Sequence, residues 1–135
     1  EESMYADVAE VAVNIAQDVR NGPSGLYLYG GEPTVILPKN PGQGGRNQAL
    51  ALELARHFRN RSDISGLVAG TDGTDGPTDA AGAFFDGDTF EMETGADEAL
   101  TRANSACYLA RTGDQIITGP TGTNVMDLAI LIKQK

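Results

Sequence analysis

The stretch that most limits the possible folds of this chain is the run Gly70-Thr-Asp-Gly-Thr-Asp-Gly-Pro-Thr-Asp79. It holds three glycines, three aspartates and three threonines, and Pro77 is its only apolar residue. A run this polar and glycine-rich cannot belong to a hydrophobic core. Because the β-like run 64–69 precedes it, we predict a loop at the carboxyl end of a buried strand. Open α/β sheets place their ligands at that end of their strands.

The aspartates of this loop, Asp72, Asp75 and Asp79, recur at spacings of three and four residues. If the loop coils, their carboxylates converge, which suits a hard cation such as Mg²⁺ or a base for a hydroxyl group. The alternative is a tight turn in which Asp and Thr side chains bond to nearby backbone amides. Both interpretations stay open at this point.

Length and composition limit the classes of protein to which this chain can belong. The chain has 135 residues, enough for one domain spanning residues 1–135, and its net charge is −9. That charge argues against a general affinity for nucleic acid or for anionic membranes. No apolar run is long enough to cross a bilayer, and no signal-peptide pattern is present. The lone Cys107 excludes an internal disulfide; we predict a buried structural thiol and a cytoplasmic protein.

Hydrophobic periodicity divides the chain into helices and strands. The predicted helices are 3–21, 46–59 and 96–110, the last with a possible break at Asn104-Ser105. The predicted strands are 26–29, 34–37, 64–69, 114–118 and 125–132, and 80–85 is either a strand or a short helix. Short loops predict a hairpin between the first two strands and an antiparallel hairpin between the last two. Because the chain opens into a helix without a methionine, we expect a piece of a longer protein.

The start of the second helix is a candidate anion site. It follows Gly44-Gly45 directly, and its first residues are Arg46 and Asn47. A helix start presents free amides and a partial positive charge. Arg46 adds a permanently charged, forked donor that suits a carboxylate or a phosphate. The alternative is that Arg46 pairs with a nearby acid, such as Glu32 or a loop aspartate.

Asp127 interrupts a strand that otherwise looks buried on both faces. A buried carboxylate is costly unless it is hydrogen-bonded or paired with a cation. We therefore predict that Asp127 supports the structure by bracing loop amides or Arg46. Direct participation in chemistry is the alternative.

Four segments together resemble the MOFRL domain, the C-terminal domain of class II glycerate 2-kinases. The same family is also described as hydroxypyruvate reductases of the tartrate-utilisation type. The resemblance covers almost the whole chain, and its central thirteen-residue motif is highly specific. The segments are Gly30-Gly-Glu-Pro-Thr-Val35, Gly44-Gly-Arg-Asn-Gln48, residues 70–82 and Gly119-Pro-Thr-Gly-Thr-Asn-Val-Met-Asp-Leu128.

The resemblance implies an α/β fold, a three-layer α/β/α domain with a mixed β-sheet. In the family this domain packs against a larger N-terminal Rossmann-like domain, and the active site lies in the cleft between them. The full enzyme moves the γ-phosphoryl group of ATP to the 2-hydroxyl of D-glycerate, a small hydroxy acid, with Mg²⁺. Arg46 matches the family's cleft arginine, which is expected to bind the glycerate carboxylate or the transferring phosphoryl group.

The other site residues are assigned from the same motifs. Catalysis is assigned to Arg46, Asp72 and Asp75, and a metal site to Asp72, Asp75 and Asp79. Asp127 is assigned to structural support. The expected substrate contacts are Glu32, Gly44, Gly45, Asn47, Thr71 and Thr74.

Two other functions stay open. One is a hydroxypyruvate reductase that uses NAD(P)H, although no Gly-x-Gly-x-x-Gly opens a helix after a strand in this chain. The other is a non-catalytic module that binds a small acid. For a kinase, the chain lacks a lysine-bearing nucleotide loop and a second domain. We therefore expect it to fold alone without turning over, and to self-associate weakly if at all.

Overall fold

The computed structural model describes the backbone of residues 2–135 and the side chains of residues 4–135. The strands are β1 Glu2–Met4, β2 Gly25–Gly31, β3 Ile64–Gly70, β4 Gly82–Asp86, β5 Gln115–Ile116 and β6 Asp127–Lys133. The helices are α1 Val8–Asn21, α2 Arg46–His57, α3 Ala96–Thr101 and α4 Ser105–Thr112, and a 3₁₀ turn spans Thr89–Glu91. Within residues 2–135, none of these helices has the length and apolar character needed to cross a membrane.

The strands form one mixed sheet in the order β1-β2-β6-β3-β4-β5. β1 is parallel to β2, and every other neighbouring pair in this order is antiparallel. The predicted α/β fold with a mixed sheet is therefore confirmed. The ambiguous run 80–85 belongs to strand β4.

The two faces of the sheet differ. Residues from all four helices join a single core with the inward residues of the sheet, such as Tyr29, Val68 and Leu131. Register places the intervening residues on the opposite face, where Leu28 and Phe84 are 60% and 50% exposed. The described helices thus cover one face, and the second helical layer of the expected three-layer arrangement stays a prediction.

The beginning of the chain differs from the predicted helix 3–21. α1 begins at Val8 because Asp7 caps it: the backbone N–H of Ala9 donates to Asp7 Oδ1 at 2.9 Å. A Ser, Thr, Asp or Asn side chain that accepts from a first-turn amide is a preferred helix start. Before the cap, Met4 is fully buried at the end of β1, against β2.

The predicted strand 34–37 is not formed. Thr34 makes a single bridge, in which its carbonyl accepts from Val8 N–H at 2.8 Å and its N–H donates to Ala6 O at 3.0 Å. Beyond it, Ile36 is 81% exposed and has no strand neighbour in the sheet. The first predicted hairpin was therefore wrong, and β2 pairs with β6 instead.

The second predicted hairpin was also wrong. β5 pairs with β4 at the edge of the sheet, whereas β6 lies between β2 and β3. β6 carries apolar side chains on both of its faces, and a seven-residue strand of this kind gains most from partners on both sides. The length of the loop before β6 could not predict that this strand pairs on both sides.

The predicted break at Asn104-Ser105 separates α3 from α4. The position of Cys107 was predicted wrongly, because α4 turns this residue outward and its thiol is exposed. The inward positions of the same helix are taken by Tyr108 and Leu109, both fully buried.

Candidate functional site

The ends of three central strands, β2, β3 and β6, lie side by side and form one edge of the sheet, at the strand termini. Asp127, the first residue of β6, pairs with Gly31 at the end of β2 and with Gly70 at the end of β3. Because β6 is antiparallel to both neighbours, its beginning lies beside their ends. Glu32 and Thr71, which follow those neighbours directly, therefore come to the same edge as Asp127.

A cavity of about 350 Å³ opens at this edge, beside the start of α2. This volume lies within the range of small-molecule sites. Its walls come from the loop before α2, the loop after β3 and the start of α4. The predicted site residues that line it are Gly44, Gly45, Arg46, Asp72, Thr74 and Asp75.

Arg46 binds two carboxylates at the cavity. Its Nε and Nη2 donate to Asp127 Oδ2 and Oδ1 at 2.5 and 3.4 Å, and its Nη1 lies 3.2 Å from Glu32 Oε1. The hydrogen bond to Asp127 is the main cause that raises the pKa of Arg46 above its usual value. The pairing of Arg46 with acids, left open above, is therefore present with two partners.

The two partners of Arg46 differ in exposure. The Asp127 side chain is 3% exposed, whereas the Glu32 side chain is 54% exposed. The guanidinium side chain itself is 38% exposed and lines the cavity. Asp127 thus holds Arg46 on its buried side, in the supporting role that the sequence suggests, and leaves the arginine accessible from the cavity.

Asp75 occupies the start of α2. Its Oδ1 accepts the backbone N–H of Asn47 at 2.9 Å, and its Oδ2 accepts the backbone and side-chain N–H groups of Gln48 at 2.8 and 3.0 Å. Burial raises the pKa of Asp75 above the usual aspartate value, and these hydrogen bonds act in the opposite direction. The prediction of a helix start free to receive an external anion was therefore wrong.

The three loop aspartates do not converge. Asp72 lines the main cavity, and its Oδ1 accepts Thr74 N–H at 3.0 Å. Asp79 lines a separate cavity beside α4, and Asp75 is engaged at α2. Across the described residues, no group of three His, Cys, Asp or Glu side chains could hold a metal ion. The predicted convergence of the three carboxylates on one metal is therefore not found among the described residues, where each carboxylate has different surroundings.

Gly44 and Gly45 are needed for close packing. A Cβ on Gly45 would lie 2.4 Å from the carboxyl carbon of Asp75, and one on Gly44 would lie 2.8 Å from Ser105 Oγ. Either contact is too short for a real side chain. The glycines let the loop approach the Asp75 cap on one side and α4 on the other.

Thr71 joins two loops. Its hydroxyl donates to Met126 O at 2.8 Å and accepts from Val125 N–H at 2.8 Å. It lies outside the residues that line the cavity, so these contacts fit a structural role. The loop before β6 is thereby held at the same edge as the central loop, where all four sequence motifs meet.

Asn47 also lies outside the cavity lining. Its side chain is 1% exposed, and its Oδ1 has no hydrogen-bond partner in the described part of the chain. Its predicted substrate contact stays a prediction, as does that of Glu32, whose contact in this structure is with Arg46.

Sequence reasoning missed the far wall of the cavity. It includes Val35, Leu37, Ala103 and Ser105. Ser105 Oγ is buried without a hydrogen-bond partner within residues 4–135, and Ala103 has a positive φ of 52°. The only signal was the break between the last two helices, which periodicity alone does not connect with a site.

Several known proteins are similar to this chain. The profile of the MOFRL family matches residues 25–127. A D-glycerate 2-kinase from Thermotoga maritima is 48% identical over 107 residues, and a putative hydroxypyruvate reductase from Agrobacterium vitis is 40% identical over 136 residues. The crystal structure of a glycerate kinase from Thermotoga maritima matches with a TM-score of 0.91 and 36% identity.

The chain spans a quarter to a third of the length of these relatives. The matches cover 76%, 96% and 98% of this chain, but only 25%, 35% and 34% of the kinase, the reductase and the crystal structure. Most of each relative therefore lies outside the region compared.

Proposed function

Since this chain belongs to the MOFRL family, we propose that it is the C-terminal domain of a cytoplasmic glycerate 2-kinase. The enzyme would move the γ-phosphoryl group of ATP to the 2-hydroxyl of D-glycerate. The observation that carries the proposal is Arg46, which lines a cavity of about 350 Å³ and is braced by a buried carboxylate. The similarity to a D-glycerate 2-kinase at 48% identity supports the choice of reaction.

Arg46 would bind an anionic group of the reactants, either the glycerate carboxylate or the transferring phosphoryl group. Phosphoryl transfer depends on positioning and on charge stabilisation more than on covalent chemistry. A donor that is already oriented costs little reorganisation when charge develops. Asp127 supplies that orientation through Nε and Nη2 of Arg46.

Asp72 is the carboxylate that fits Mg²⁺ in this domain of the enzyme. Its Oδ1 accepts from Thr74, and its Oδ2 has no hydrogen-bond partner among residues 4–135. Mg²⁺ commonly uses one or two protein carboxylates together with substrate phosphates, so a cluster of three is not required. When bound, the ion would neutralise negative charge on the phosphates. Asp75 does not fit this role, because both of its oxygens are engaged.

We assign the rest of the active site to a larger N-terminal Rossmann-like domain of the same polypeptide. Arg46 is the only cation among the described residues that line the cavity. One arginine paired with two acids is too little positive charge for a triphosphate, so we assign further cations to the rest of the polypeptide. A second domain that closes over the cavity would also exclude water from the reaction.

The test is a phosphoryl-transfer assay with ATP, Mg²⁺ and D-glycerate on the full-length polypeptide that contains this chain. We expect formation of ADP and 2-phosphoglycerate by the full-length protein and none by the isolated 135 residues. Turnover by the isolated chain would contradict the assignment of further residues to a second domain.

Two parallel measurements separate the other functions. Oxidation of NADH with hydroxypyruvate, without phosphoryl transfer, would replace the kinase by a reductase. Calorimetry that detects D-glycerate binding, in a protein that never consumes ATP, would replace it by a non-catalytic binding module.

A further inference from the structure

The guanidinium of Arg46 is held along two different edges. Asp127 takes the edge formed by Nε and Nη2, and Glu32 contacts Nη1 at 3.2 Å. An incoming anion that needs two parallel donors from Arg46 must use the edge formed by Nη1 and Nη2. Glu32 lies 3.2 Å from Nη1, one of the two nitrogens of that edge, so the anion and Glu32 compete for the same nitrogen.

The energetic cost of displacing each carboxylate differs. Glu32 is 54% exposed, and exposed ion pairs contribute little to stability, so releasing Glu32 into water is easy. Asp127 is 3% exposed, and removing the partner of a buried charge is strongly destabilising. An anion that arrives at Arg46 will therefore displace Glu32 and leave Asp127 in place.

The charge balance around Arg46 favours the same exchange. Glu32, Asp127 and Asp75 all act on the guanidinium by Coulomb attraction, so acids outnumber the cation. When Glu32 leaves, one negative charge departs as the ligand brings its own. The net charge close to Arg46 then stays nearly constant, which avoids the repulsion that a fourth anion would meet.

We propose that Glu32 is an exchangeable counter-ion, which occupies Arg46 in the free protein and gives way to an anionic oxygen of the ligand. The anionic oxygen belongs to a carboxylate or to a phosphate. This inference rests on the proposed function for the identity of the ligand. It reverses the expectation that Glu32 contacts the substrate directly: in this arrangement Glu32 is a competitor of the substrate.

The experiment is Glu32→Gln in the full-length polypeptide, with kcat and KM measured for D-glycerate and for ATP. Gln keeps the size of the side chain and removes its charge. We expect KM for the ligand that binds Arg46 to fall about two- to fivefold, with little change in kcat. A fall for D-glycerate assigns Arg46 to the carboxylate, and a fall for ATP assigns it to the phosphate.

Two further variants separate this effect from a general change of charge or shape. Glu32→Asp keeps the charge and should retain a KM close to that of the wild type. Glu91→Gln removes the same charge from an exposed glutamate that forms no ion pair within the described residues, and should leave KM unchanged. An unchanged or increased KM in Glu32→Gln would overturn the proposal, since it would make Glu32 neutral or a direct ligand.

Calorimetric titration of the same proteins with D-glycerate and, separately, with inorganic phosphate keeps this inference distinct from the proposed function. If the wild type binds either anion but does not transfer a phosphoryl group, the kinase assignment fails. The counter-ion role then stands when Glu32→Gln binds the anion more tightly. Equal or weaker binding by the variant, or no binding of either anion by both proteins, overturns it.

Discussion

Asp75 and Asp127 both contact the first turn of α2, but they differ in what they leave accessible to a ligand. Asp75 accepts hydrogen bonds from Asn47 and Gln48, is 2% exposed and offers no free oxygen to a ligand. Asp127, equally buried, holds the side chain of Arg46, which remains accessible from the cavity. One carboxylate closes a helix start, and the other prepares a cation for binding. Both aspartates are buried, so burial does not distinguish the structural residue from the one that serves binding. The exposure of the group that each aspartate holds does distinguish them.

The largest expected effect concerns Asp75, whose oxygens are both engaged by the start of α2. Asp75→Ala should lower the free energy of unfolding by about 3 kcal/mol, because it leaves the buried amides at the start of α2 without acceptors. Urea denaturation of the chain measures this loss. Asp79→Ala, at an exposed position of the same loop, is the control and should change stability little. Equal stability of the two variants would remove the structural role from Asp75.

The next effect concerns Arg46, the accessible side chain that Asp127 holds. Arg46→Lys keeps the charge but loses the planar fork, so it should lower kcat/KM of the full-length enzyme about a hundredfold. Its stability should change by less than about 1 kcal/mol, because the ammonium can still pair with Asp127. Steady-state kinetics and denaturation measure the two quantities. A large loss of stability with normal kinetics would place Arg46 in the same category as Asp75.

Asp127→Asn should have a mixed and smaller effect. The amide keeps the shape but loses the charge-assisted bonds to Arg46, so we expect about 1–2 kcal/mol of lost stability. The arginine loses its orientation at the same time, and KM should rise about tenfold. If only stability changes, Arg46 does not depend on Asp127 for its position, and the comparison between the two acids loses its basis.

The smallest effect is a dependence of stability on pH. Burial raises the pKa of Asp75, so the folded chain keeps this proton to a higher pH than the unfolded chain does. Its contribution to stability should therefore fall as pH rises from about 4, the ordinary aspartate pKa, to the raised folded value. The stability difference between wild type and Asp75→Asn, measured by urea denaturation across this window, should decrease. A difference that grows with pH would contradict this assignment.

Local patterns predicted much of the fold. α2 and β3 lie within one or two residues of their predicted bounds, and the break before α4 is where Asn104-Ser105 suggested it. These elements depend on periodicity and on Gly or Asn at their ends, which are visible in a short window. The strand 34–37 failed because apolar residues there line a cavity and contact solvent instead of joining the sheet.

The candidate site was predicted in part. Arg46 and Asp72 line the cavity as expected, because a glycine pair before a helix and a polar loop after a strand are local signals. The wall formed by Ala103 and Ser105 has no such signal, since it depends on how α4 packs against the loop before α2. The different surroundings of Asp72, Asp75 and Asp79 likewise follow from the path of the loop and not from their spacing.

The sequence by itself determined the main helices and most of the strands, and which side chains stand near their ends. Apolar periodicity and the backbone preferences of glycine and asparagine act over a few residues, so they can be read without coordinates. Only the tertiary structure decided that β6 lies between β2 and β3, that Asp75 caps α2, and that Arg46 is shared by Asp127 and Glu32. Those choices depend on strand pairing and burial between distant segments, because a carboxylate acquires its role from the donors that folding brings to it.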